Sequence, residues 1–96
     1  MNVLRSGRKT VSDILTPARL SDTPLVVVRV DVLALAANVG TVRIGGPNVN
    51  SIVGRECGVP LAVNDVFTVD NIDLHECWVA VDTADDGFTW TAILNA

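Results

Sequence analysis

The chain has 96 residues, 49% of them apolar, with seven Lys and Arg against eleven Asp and Glu, a net charge of −4. That length bounds the chain to one domain, and the apolar fraction excludes disorder of the whole. No stretch reaches the roughly 18 consecutive apolar residues of a membrane-spanning helix, and too few Lys and Arg cluster to expect direct contact with nucleic acid.

Residues 1–24 differ in character from the rest. They hold Arg5, Arg8, Lys9 and Arg19 against Asp13 and Asp22, a balance of +2, and show no sustained hydrophobic period. Residues 25–96 carry three cations and nine carboxylates, a balance of −6. The contrast predicts an extended N-terminal arm over 1–24 and an acidic β-body over 25–96. The N-terminal charges precede no apolar run with a small-residue cleavage site, so a secretory signal is not expected. Within the arm, Val11 to Leu15 predict one helical turn, capped by Ser12 or Asp13 and stopped before Pro17.

Residues 25–36 are a nearly unbroken run of Val, Leu and Ala, interrupted only by Arg29 and Asp31, and predict a long strand. A period of two puts Val26, Val28, Val30, Val32, Ala34 and Ala36 on one face, the expected core face. The other face holds Leu25, Val27, Arg29, Asp31, Leu33 and Leu35. A turn at Asn38–Gly40 leads to a short strand with Val42 and Ile44 inward and Arg43 outward. Gly45 to Asn48 break the pairing, and residues 49–59 read as a loop. Short strands follow over 60–63 and 66–70, then a connector over 71–74. Residues 77–83 and 88–94 flank Ala84-Asp85-Asp86-Gly87 and predict a terminal hairpin. Its inward faces are Cys77, Val79 and Val81 on one side and Phe88, Trp90, Ala92 and Leu94 on the other. The sum is an all-β chain, a small antiparallel β-sandwich or barrel of about six to eight strands with an N-terminal arm.

Reactive constellations are thin. His75, Glu76 and Cys77 with Cys57 lack the tight Cys and His spacing of zinc sites, so no metal or other cofactor is expected. Asp82 to Gly87 imitate the start of a calcium loop, but Ala84 and Ile93 stand where oxygen ligands belong. Asp82-Thr83-Ala84 lacks the Gly or Ser that an aspartic-protease motif carries after its Thr. His75 is the sole histidine and no nucleophile elbow occurs, so no enzyme is expected. Cys57 and Cys77 are expected as free thiols of a reducing cytoplasm, with a single bridge between them as the alternative. A body of 72 residues has a small core, which points to support from partner subunits.

An ordered series of motifs runs through residues 38–94: Val42-Arg43-Ile44-Gly45-Gly46-Pro47-Asn48-Val49, then Gly58-Val59-Pro60-Leu61, then Trp78-Val79-Ala80-Val81-Asp82-Thr83 and Gly87-Phe88-Thr89-Trp90. In order and spacing it resembles small virion proteins of tailed bacteriophages, of the capsid decoration, cement or head-fibre type. The resemblance implies a non-enzymatic β-sandwich, commonly a homotrimer. It would be made in the bacterial host cytoplasm and bound to the major capsid protein outside the virion shell. The arm would span about 75 Å when extended. It would dock through Ile14, Leu15 and Leu20, with Arg5, Arg8 and Lys9 as salt-bridge donors. Arg29 and Asp31 would set register at a subunit interface. A head-fibre, neck or tail subunit and a carbohydrate- or host-binding module are the alternative readings.

Overall fold

Residues 2–95 are described by a computed structural model, in which they form eight strands. These are β1 (Asn2–Thr10), β2 (Ala18–Arg19), β3 (Val26–Ala34), β4 (Val42–Gly45), β5 (Val59–Leu61), β6 (Val66–Asp73), β7 (Trp78–Val81) and β8 (Gly87–Asn95). A single 3-10 turn, Leu74–Glu76, joins β6 to β7. Sheet one has the order β1-β8-β3-β6 and sheet two the order β2-β7-β4-β5. Every pairing is antiparallel. The all-β, sandwich-like expectation holds.

The core lies between the sheets. Sheet one contributes Val27, Val30, Val32, Ala34, Phe88, Trp90 and Ala92, and sheet two contributes Val42, Ile44, Leu61, Val79 and Val81. Burying each large apolar side chain here stabilises the fold by about 1.5–3 kcal/mol. The inward faces expected for residues 42–44, 77–81 and 88–92 are the buried ones.

The arm is not free. Residues 2–10 pair with β8 along its whole length, from Asn2 opposite Asn95 to Thr10 opposite Gly87. Ala18 and Arg19 pair with Val79 and Trp78 in the other sheet. Val11 and Leu20 sit in the same core as Phe88 and Val79. Residues 1–24 therefore do not form a separate unit from 25–96; the described part supplies an edge strand to each sheet. The physical reason is visible at Gly7, which lies opposite Trp90. A Cβ at Gly7 would collide with the indole ring, so the glycine lets Trp90 lie over β1 and supply the apolar cover that β1 itself lacks. No helical turn forms at 11–15. Asp13 instead closes a turn, accepting from Leu15 N at 2.9 Å and from the Thr16 hydroxyl at 3.0 Å, a local bond that competes with helix.

The terminal hairpin is also corrected. β7 and β8 belong to different sheets, and residues 82–86 cross between them. Both strands carry an apolar face, and both faces enter the core only when the strands oppose each other across the sandwich. A turn sequence specifies a chain reversal, not which strands pair.

The face of β3 changes phase. Val30, Val32 and Ala34 are buried as expected, but Val26 and Val28 are exposed and Val27 is buried. The shift falls at Val28, where the pairing with β6 skips one position between Val27↔Ile72 and Arg29↔Asp70, and the skipped β6 residue, Asn71, has a φ of +51°. Both strands turn two successive residues outward there, Val28 and Arg29 on one and Asp70 and Asn71 on the other. Their register is unchanged across the irregularity.

Candidate interaction face

The antiparallel registers align outward-facing residues of sheet one in rows. One row is Leu4, Ile93, Arg29 and Asp70; the next is Ser6, Thr91, Asp31 and Thr68; the third is Arg8, Thr89, Leu33 and Val66. Ser6 Oγ lies 3.2 Å from Thr91 Oγ1, and the Thr68 hydroxyl donates to Asp31 Oδ1 at 2.7 Å. Arg29 Nε stands 3.7 Å from Asp31 Oδ1. Exposed ion pairs contribute little stability, so this one orients two side chains on a half-polar surface. The result is a hydroxyl-rich face with both signs of charge, held by a four-stranded backbone.

Of the eight residues singled out in the sequence, three meet on this face: Arg8, Arg29 and Asp31. Arg5 and Lys9 point to the other side of β1, and Lys9 Nζ pairs with Asp22 at 3.0 Å. Ile14 and Leu15 protrude from the Asp13 turn, Leu15 being 75% exposed. Leu20 is 3% exposed and is a core residue, not an anchor for a partner. Its backbone N–H donates to Cys77 O at 2.7 Å, which holds it inward. Sequence reading missed Ser6, Thr68, Thr89 and Thr91. For Thr89 and Thr91 the signal was the alternation of Thr with apolar residues in 88–92, which marks the solvent side of that strand.

Trp78 does not offer an open aromatic platform. Arg19 lies over its ring, 4.4 Å from the centroid, and the same guanidinium donates to His75 O at 2.7 Å. Its indole nitrogen is buried without a partner. His75 Nδ1 lies 3.1 Å from Ser21 O. Among the described residues, no three His, Cys, Asp or Glu side chains gather where they could hold a metal ion.

Two local features give direct tests of the surroundings. Asp73 accepts from Leu25 N at 2.8 Å and His75 N at 3.0 Å, and the Leu25 bond, then the His75 bond, hold its carboxyl below the usual carboxylate range. A carboxylate depressed in the folded state adds stability above its unfolded value near ~3.9 and loses it as pH falls through the lower folded value. Urea midpoints should therefore drop below about pH 4, and Asp73→Asn should flatten that acid limb. Cys57 and Cys77 are both free, Cys57 exposed and Cys77 buried. Burial pushes the Cys77 thiol up to about 11, which suppresses the reactive thiolate. Alkylation of the native protein near neutral pH should modify Cys57 alone, with Cys77 reacting only after unfolding; mass spectrometry reads the difference.

Comparison with protein-family models, curated proteins and solved structures finds no match.

Proposed function

We propose that the chain is a structural virion protein of a tailed bacteriophage, a capsid decoration or cement protein bound to the major capsid protein on the outside of the head. On this reading it acts through surface burial and turns over no substrate. The motif series over residues 38–94 supports the family, and the observation that carries the mechanism is the set of rows on sheet one. A rigid face that alternates hydroxyls, apolar side chains and both charge signs suits contact with another protein more than a lipid or a polyanion. Charge pairs such as Arg29 and Asp31 fix register there more than they add affinity. The exposed Ile14 and Leu15, on a turn locked by Asp13, supply a further apolar contact.

Attachment differs from the arm mechanism. β1 is already paired on one side, so docking needs no ordering of a long leader and avoids that entropy cost. Bound to the mature shell only, the protein stabilises it by mass action, each tenfold gain in affinity adding about 1.4 kcal/mol. The homotrimer implied by the resemblance would multiply such contacts.

The test is rebinding of purified protein to expanded heads stripped of it, read by co-sedimentation and copy number. Copies in a small fixed ratio to the shell protein are expected, with Asp31→Arg or Leu15→Asp weakening binding at least tenfold in a folded chain. Unchanged binding by both variants would remove this face and that apolar contact from the mechanism, and a handful of copies per particle would point to a neck subunit.

A further inference from the structure

Sheet one ends in two open edges, β1 and β6. They are nine and eight residues long and contain no proline, so each presents a row of unpaired backbone donors and acceptors. Their charges are opposite. β1 carries Arg5, Arg8 and Lys9 and no carboxylate, whereas β6 carries Asp70 and Asp73 and no cation, with Asp65 immediately before it. Arg5, Arg8 and Asp70 have no ion-pair partner among the described residues.

We propose that these edges join head to tail, β1 of one copy lying antiparallel to β6 of the next. This deepens the self-association within the function above, yet it stands or falls independently of shell binding. Strand direction favours it: the order β1-β8-β3-β6 alternates throughout. A neighbour related by rotation about an axis along the strands therefore continues the alternation. In-phase pairing keeps outward residues with outward residues, so Arg8 and Ser6 share a face with Thr68 and Asp70 of the neighbour. Facing and diagonal positions across such a pair lie within reach of long side chains. Apolar cover is present at both edges, from Leu4 at 73% and Val66 at 57% exposure.

The two symmetric alternatives are disfavoured by the same charges. β1 against its twin gathers four arginines without an ion-pair partner, Lys9 being held by Asp22, and β6 against its twin gathers carboxylates, and like charges across strands destabilise. The cations that guard β1 from its own copy thus select β6. A contact between two different surfaces forms a ring where the rotation closes and a filament where it does not.

Sedimentation of the full chain tests this by charge exchange. The wild type is expected as a species larger than a monomer at micromolar concentration, shifting toward monomer in ~1 M salt, where screening acts within about 3 Å. Arg5→Glu with Arg8→Glu makes both edges acidic, and Asp70→Lys leaves both edges basic or less acidic, so each variant alone should associate at least tenfold more weakly. Mixed, the two should assemble again, because each acidic β1 then meets a β6 bearing Lys and each native β1 meets a native β6. Tryptophan emission checks folding, and Arg5→Gln with Arg8→Gln reads the same weakening should the reversed pair misfold. A wild type that stays monomeric, charge variants that assemble as the wild type does, or a mixture that remains monomeric overturns the proposal.

Discussion

Removal of residues 1–12 will leave a chain that does not hold its fold. The deletion takes away β1, whose nine residues pair with β8, and Val11, which is 4% exposed in the core. It also strips the strand that lies against Trp90 through Gly7, so a large indole face meets water. Losing one buried aliphatic side chain and the cover of an aromatic one costs at least about 3–5 kcal/mol. A domain this small holds only about 5–10 kcal/mol in all, so the truncated protein should be largely unfolded or should melt tens of degrees earlier. Far-ultraviolet dichroism and tryptophan emission read this directly. Leu4→Ser, on the exposed side of the same strand, should change stability by no more than ~0.5 kcal/mol. An unchanged melting midpoint after truncation would make β1 a dispensable arm.

Asp86→Ala should be the most damaging single polar substitution. Asp86 is only 4% exposed, and its carboxylate accepts from Val39 N at 2.9 Å and Gly40 N at 2.8 Å. Around it, Val11 N donates to Asp86 O at 3.0 Å, and Asp85 N donates to Val11 O at 2.8 Å. Asn38 completes the junction, its side-chain amide donating to Gly87 O at 2.9 Å and its Oδ1 accepting from Gly87 N at 2.8 Å. Three chain segments, near residues 11, 38–40 and 84–87, are thus tied at one corner. Alanine at 86 removes the acceptor of two part-buried backbone bonds, and bonds to a charged acceptor contribute about 1.5–3 kcal/mol each. A loss of about 3–5 kcal/mol is expected in denaturant titrations. Asn at 86 should recover part of it, because its side-chain oxygen still accepts. A loss under ~1 kcal/mol would show that the corner is held by the surrounding backbone bonds alone.

The places where sequence and structure part have different causes. The strands that build the core were legible because each spends its own apolar residues on one face: Val42 and Ile44, Val79 and Val81, Phe88, Trp90 and Ala92. β1 was not legible, because Asn2 to Thr10 contain only Val3 and Leu4 as large apolar residues, and both are exposed. Its inner face is covered by a side chain from β8, an arrangement that leaves one trace in the sequence, a glycine able to sit opposite a tryptophan. Val11 and Leu20 are isolated anchors with no period to announce them. The phase change at Val28 was hidden for another reason. Val26, Val27 and Val28 are chemically alike, and only the partner strand, with Asn71 at positive φ, decides which of them turns inward. The connection over 82–86 carried an unmistakable turn signal, but local sequence does not distinguish a hairpin from a crossing between sheets.

The outward rows of sheet one were legible in part. Arg29 and Asp31 stood out as charges inside an apolar run, and the structure places them outward as that pattern implies. Their neighbours on the face come from β1, β6 and β8, and only the registers of three strand pairs bring Arg8, Thr91 and Thr68 beside them. Leu20 had been grouped with Ile14 and Leu15 by hydrophobicity alone. Burial separates them: Leu20 belongs to the core, and Ile14 and Leu15 protrude.

What everything else leans on is the leading segment being a built-in strand of sheet one. Amide exchange at residues 3–10 of the full chain measures that most directly. Slowed exchange at alternate positions in dilute protein, spreading to the intervening ones as copies assemble, is the expected pattern. Uniformly fast exchange, at the rate of an unstructured peptide, would contradict it.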